Sequence, residues 1–318
     1  MNCCCTIKDT SGKSARSYSR ESSRGRPGLR LEHRMESAQP GGRARFDWLR
    51  RPMPLTLLRF MNKRVVLGLF VVTALGGMLL AGQTNDPVLP AAPPGAKWKL
   101  VWFDEFDGSK LDETKWNRLG DWKRRDGYWV KDDAYVNGKG SLMLRTKLDG
   151  ERFTCGAVNT QWKFEHAFGF YEARCKMPKQ PGHWSAFWLM CSGVSTVGND
   201  GRDGTEIDIV EMPWRDGQLT ANLHWDGYGE AHKSAGTKFK IPEVVEGFHT
   251  YGFLWLPTEY VFYVDGKEVW RSKAGGVSQV PEFLKLTNEI GTWAGDIKQA
   301  RLPDYFEVDY VRVYDAVK

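Results

Sequence analysis

Cysteine is scarce in this chain of 318 residues: six in all, three of them (Cys3, Cys4, Cys5) crowded at the start. The others, Cys155, Cys175 and Cys191, are scattered. Such spacing lacks the pattern of a zinc site and does not make a disulfide framework. Long helical periods are also missing after position 97, which argues against a helical bundle. A basic surface is absent where it would matter. The formal net charge is +6, yet residues 1–82 hold 15 Lys and Arg against 5 Asp and Glu, leaving 30 against 34 for the remainder. That net negative remainder gives no support to nucleic acid as a partner.

Tryptophan, by contrast, is abundant: all but one of the 14 lie after position 97. Indole is large and wants a partner for its N–H, so a core alone rarely calls for so many. The surplus suits a groove that holds flat ligands.

Residues 1–60 are rich in Arg, Ser, Gly and Pro with no apolar period, and are expected to be an untranslated or disordered leader. Met61-Asn62-Lys63-Arg64, the apolar run 65–80 and Ala81-Gly82 form the three parts of a secretory signal peptide. Translation is therefore expected to start at Met61, with a product that is secreted or periplasmic. The competing reading is a single-span anchor through 65–82, since about 18 apolar residues approach the length that crosses a bilayer. Gln83 stands where a lipoprotein signal needs Cys. A Pro-rich linker follows over 83–97, and one domain runs over 98–318.

Within that domain, runs at 98–103, 141–146, 157–164, 169–177, 185–190, 205–212, 219–225, 249–255, 260–264 and 305–313 read as strands separated by turn residues. Asp265-Gly266 marks a hairpin into 268–270, because Gly tolerates the positive φ of a tight primed turn. The expectation is an all-β fold, a two-sheet antiparallel sandwich of the jelly-roll, concanavalin-like kind with a concave cleft. Cys155 and Cys175 flank a hairpin expected around 164–167, where a bond between them would be geometrically demanding.

The chemistry concentrates in Gly204-Thr205-Glu206-Ile207-Asp208-Ile209-Val210-Glu211-Met212-Pro213. Glu206 and Asp208 share one face of a strand, the isoleucines the other. Glu211 breaks that parity and on a regular strand would point into the core, where a lone carboxylate is costly. One extra residue at Ile209–Val210, a β-bulge, returns Glu211 to the face of Glu206 and Asp208. Three carboxylates in a row repel one another, and crowding drives their titrations apart. Such a set suits glycoside hydrolysis with retention, which needs a nucleophile and a proton donor about 5–5.5 Å apart.

This strand resembles that of glycoside hydrolase family 16, the group of laminarinases, lichenases, agarases and carrageenases, in its longer, bulged form. Four flanking segments match in order: Trp102-Phe103-Asp104-Glu105-Phe106-Asp107-Gly108 as the opening strand, and Phe168-Gly169-Phe170-Tyr171-Glu172-Ala173-Arg174 as the central hairpin. Gly182-His183-Trp184-Ser185-Ala186-Phe187-Trp188-Leu189-Met190 resembles the strand before the catalytic one, and Val308-Asp309-Tyr310-Val311-Arg312-Val313-Tyr314 the closing strand. The resemblance covers residues 98–315. It implies Glu206 as nucleophile, Glu211 as acid and base, and Asp208 between them setting both protonation states.

The same resemblance places Trp184 against the sugar beside the cleaved bond and His224 near the sugar or the acids. Trp188, on the face of Trp184, and Trp293, in a loop at the cleft edge, are further candidate subsite residues, with core packing as the alternative. His183 and His232 have weaker claims; His166, His249 and Trp225 read as packing residues, and Glu289 has no assignment. Lys123-Arg124-Arg125 reads as a solvated turn, although sulfated galactans generally recruit such cations. No cofactor is expected for catalysis. A structural calcium near Asp309 is an option, with an ordinary strand-end Asp equally open. The expected function is a monomeric endo-β-glycanase acting on a polysaccharide, β-1,3(4)-glucan first and a marine galactan (agar, porphyran or carrageenan) second. A non-catalytic glucan-binding module is the reading from another class, opposed by the intact glutamates. Transglycosylation would use the same residues.

Overall fold

The computed structural model describes residues 89–318. The expected leader, export signal and residues 83–88 of the linker lie outside the described residues. Among the described residues no helix is long and apolar enough to cross a membrane. The last part of the linker belongs to the folded body: Leu89 packs against the cluster of Phe170, Leu254, Val261 and Tyr314, and the Trp98 indole N–H donates to the Pro90 carbonyl at 2.7 Å.

Two sheets carry the fold, as expected from many short strands with turn residues between them. One runs in the order Lys267–Ser272, Glu259–Val264, His249–Leu256, Gly169–Lys176, Asp304–Val317, Leu142–Asp149, Arg152–Cys155, Gly127–Trp129, Trp122–Arg124. Lys97–Asp104 pairs with the long closing strand Asp304–Val317. The other sheet runs Lys233–Lys240, Gln218–Trp225, Glu206–Met212, His183–Met190, Glu282–Ile290, Ala157–Asn159, Asn117–Arg118. Named strand pairs are antiparallel except Gly127–Trp129 with Arg152–Cys155. The hairpin at Asp265-Gly266 forms with both residues at positive φ (48° and 73°), the signature of a type I′ turn.

Alternation sorts each strand. Phe187, Leu189, Ile207, Leu219, Leu223, Leu284 and Leu286 from the second sheet meet Tyr171, Tyr251, Phe253, Phe262, Phe306 and Val311 from the first, all buried in one core. Each such aromatic or aliphatic side chain contributes roughly 1.5–3 kcal/mol by leaving water. The opposite side of the second sheet is left to polar and aromatic residues, and it holds the site.

Two expectations fail in this frame. Residues 157–164 are not one strand: Ala157–Asn159 belongs to the second sheet, Gly169–Lys176 to the first, and Glu165–His166 pairs with Glu282–Ile290. The hairpin around 164–167 and the segment likened to a central hairpin therefore give way to a crossing between sheets and one strand. Cys155 and Cys175 consequently lie on strands with different neighbours, and both are free and buried, as is Cys191. The Cys155 thiol donates to the Asn288 carbonyl at 3.1 Å instead.

Candidate active site

The acid strand Glu206–Met212 lies between His183–Met190 and Gln218–Trp225. Against the first neighbour, Val210 pairs with Phe187 and Asp208 with Trp188, so Ile209 is the extra residue. The register against the second neighbour also slips between Asp208 and Glu211. The bulge thus occurs where parity demanded it. Ile207, Ile209 and Val210 go to the core, while Glu206, Asp208 and Glu211 share the concave face.

Each carboxylate has its own setting. Glu211 is wedged between two donors: the Trp184 indole N–H reaches Oε1 at 3.2 Å and the Asn222 amide reaches Oε2 at 2.8 Å. Burial, then the Asp208 charge, raises its pKa well above the ordinary carboxyl range, with the Asn222 and Trp184 bonds pulling the other way. Asp208, buried between the glutamates, is pushed up by burial and then by the Glu206 charge. The Nε2 of His224 stands 3.5 Å from its Oδ2. Glu206 accepts a short hydrogen bond from the Tyr228 hydroxyl. That phenol is kept protonated by burial and by the Glu206 charge, so it remains a donor. Glu206 bonded to a phenol, Glu211 with its pKa raised and Asp208 between them form a set for general acid–base and nucleophilic work at one carbon centre.

His224 pairs across the strands with Glu206 and stacks on His232, with Nδ1 and Nε2 3.0 Å apart. Trp184 is buried, held by its bond to Glu211 and packed edge-on against Trp293 at 5.2 Å. Trp293 is 42% exposed and also meets Trp214 edge-on at 5.6 Å, making an aromatic rim beside Glu211. Trp188 shares the concave face but is nearly covered; its N–H donates to Thr287 Oγ1 at 3.1 Å. Seven predicted residues, Glu206, Asp208, Glu211, Trp184, Trp188, His224 and Trp293, therefore gather on one face. Trp225 packs in the core. His183 is a buried strut between Thr146 and Asp304, and burial lowers its pKa. His166 and His249 bond Asp315 and Asp265.

Asp309 stands apart. Its Oδ2 accepts from the Arg174 guanidinium at 2.7 Å. A carboxylate already facing a cation is a poor ligand for a second one, so the residues there do not fit calcium through Asp309. Among the described residues the atoms of Glu206, Asp208 and His224 lie within 4.8 Å of one another and could hold a divalent ion. Two of the three, Glu206 and Asp208, are also acids of the site.

Several site residues went unread in the sequence. Asn222 lies two positions before His224 and therefore on its face, a signal that period-two counting would have found. The Thr220 hydroxyl bonds the Asn222 carbonyl at 3.1 Å, which turns the amide N–H toward Glu211. Tyr228 and Trp214 lie in loops, where no period points. Lys123 is solvated as expected, but Arg124 and Arg125 are not surplus turn charges. They close on Glu289, a nearly buried carboxylate on the strand Glu282–Ile290.

Comparison with known proteins places this geometry. A family model described as Glycosyl hydrolases family 16 matches residues 121–312. Glucan endo-1,3-beta-glucosidase A1 of Niallia circulans is 27% identical over 276 residues, covering 71% of this chain and only 39% of that protein. The catalytic domain of an endo-1,3-beta-glucanase (laminarinase) from Thermotoga petrophila RKU-1 superposes with a TM-score of 0.59. It is 28% identical and covers 70% of this chain and 100% of its own. Porphyranase B from Zobellia galactanivorans gives 0.63 at 25% identity, over 73% and 98% of the two chains.

Proposed function

The chain belongs to glycosyl hydrolases family 16, and from that premise we propose that it is an endo-β-glycanase working by double displacement. Glu206 attacks the anomeric carbon while Glu211 gives its proton to the departing glycosidic oxygen, leaving a glycosyl ester on Glu206. Glu211, now a carboxylate, takes a proton from water as that water attacks the same carbon and frees Glu206. Two inversions leave the configuration unchanged. Asp208 between them and Tyr228 on Glu206 hold the nucleophile in place. One observation carries this reading: the single-residue bulge at Ile209 that returns Glu211, with its raised pKa, to the face of Glu206.

The glucanases among the similar proteins support β-1,3(4)-glucan as the first backbone to test. A galactan is the second, favoured by the cations that line the cleft beside Trp184 and Trp188. Export through 61–82 and action as a monomer outside the cytoplasm belong to the same reading; the N-terminus of exported protein is expected after residue 82.

Digestion of laminarin, mixed-linkage glucan, agarose, porphyran and carrageenan is the test. At least one is expected to yield oligosaccharides of mixed length, the mark of internal cleavage. Glu206→Gln is expected to lower kcat by at least about a thousandfold. Full activity in that variant would overturn the mechanism, and exclusive release of monosaccharide would overturn the endo assignment.

A further inference from the structure

The concave face carries a second concentration of charge, two strands from the acids. Lys285 and Glu289 lie on Glu282–Ile290, opposite Trp188 and Trp184. The ammonium of Lys285 lies 3.7 Å from the Trp188 ring centre and 5.6 Å from that of Trp129. It has no carboxylate within ion-pair distance among the described residues. Glu289, its side chain 5% exposed, receives Arg124 through Nε and Nη2 at 3.1 and 2.7 Å, and Arg125 through Nε. Arg124 lies over Trp129 at 4.9 Å and Arg125 over Trp184 at 5.3 Å. Asp126, the other acid of this turn, instead accepts the Thr292 amide at 3.3 Å.

One buried carboxylate thus fixes two guanidiniums beside a lysine, and the patch keeps a positive surplus in a domain that is net negative. Drawing such cations onto an aromatic floor costs solvation, which a solvated turn would have no reason to incur. Arg125 spends only Nε on Glu289 and stays half exposed, so its terminal nitrogens have no protein partner among the described residues. A guanidinium fork fixed at one end and open at the other, with a point charge nearby, is built to grip a multi-oxygen anion.

We propose that Arg125 and Lys285, with Arg124 braced by Glu289, form a subsite for an anionic substituent of the glycan, a sulfate ester or a carboxylate. This inference rests on the endo-β-glycanase reading and narrows its substrate class. Two strand spacings place the subsite about 10 Å across the sheet from the acids, about the span of two sugar rings. Trp188 and Trp129, both nearly covered, support the cations from beneath. Burial, with Arg124 adding, brings Lys285 down to about 8, against Glu289, Glu206 and Asp208. The ammonium is therefore charged at neutral pH.

The test compares matched polymers: agarose with porphyran, laminarin with laminarin sulfate, curdlan with carboxymethyl curdlan. Initial rates and retardation in polymer-containing gels are measured for the full chain and for Lys285→Met and Arg125→Gln. In at least one pair the anionic member is expected to give a kcat/KM about tenfold higher, residing in KM, as one or two charge-assisted bonds would give. Each variant should cut the anionic-to-neutral ratio severalfold or more, and added salt should do the same. The sulfate and carboxylate pairs separate the two sources of charge. Neutral members preferred in every pair, or variants that lower both members alike, would overturn the subsite. Anionic preference in the gels with no cleavage of any polymer would keep the subsite and remove the hydrolase reading.

Discussion

Tyr228 shows how much of this site depends on single hydrogen bonds. Its hydroxyl bonds one oxygen of Glu206, which holds the nucleophile at one rotamer. Tyr228→Phe keeps the ring against His232 and removes only that bond. The expected result is a fall in kcat of roughly 10- to 100-fold with a smaller change in KM, since misplacing a reacting group costs about that much. A change confined to KM would mean that Tyr228 holds sugar instead. The residue scale was also where the sequence was most legible. The parity break at Glu211 is arithmetic on a period of two, and burial of the carboxylate leaves one resolution of it. Tyr228 was illegible, because a loop has no period from which to infer facing.

At the scale of elements, the acid strand is tuned by the two strands beyond it. Asn222 can approach Glu211 because the next strand offers Gly236 there: a Cβ at that position would meet Asn222 Oδ1 at 2.2 Å. Gly236→Ala should therefore displace the amide and cost Glu211 a donor. That bond stabilises the ionised form, so its loss raises the Glu211 pKa further. The acid must be protonated to act, and the basic limb of the kcat/KM profile should move to higher pH, as it should in Asn222→Ala. An unmoved or lowered limb in both variants would contradict the coupling. Most of the expected strands lie within a residue or two of expectation, but Lys233–Lys240 and Glu282–Ile290 were not read as strands. The crossing at 157–169 was misread because a short apolar run looks the same whether it stays in one sheet or passes between two.

For the whole molecule, the acids set a limit on stability. Glu282 is fully buried, and its Oε1 accepts the Thr205 amide at 3.1 Å. Burial raises its pKa from 4.5 to about 8. A carboxyl raised on folding contributes stability that is full below its unfolded value and lost as pH rises through about 8. Glu282→Gln should remove that dependence: its Tm should exceed that of the parent by roughly 5 °C or more at pH 8.5, with the gap closing toward pH 4.5. Parallel Tm curves over this range would contradict it. Glu211 carries the same sign, so Glu211→Gln should also gain stability near neutral pH while losing activity, the trade expected of a site built from desolvated acids.

The proposed mechanism has one bulged strand present a nucleophile and a proton donor to the same glycosidic bond. Time-resolved proton NMR of the first product from whichever polymer is cleaved tests it most directly. Double displacement gives a β-anomer at the new reducing end that later mutarotates. An α-anomer formed first would show inversion, and the roles given to Glu206 and Glu211 would be wrong.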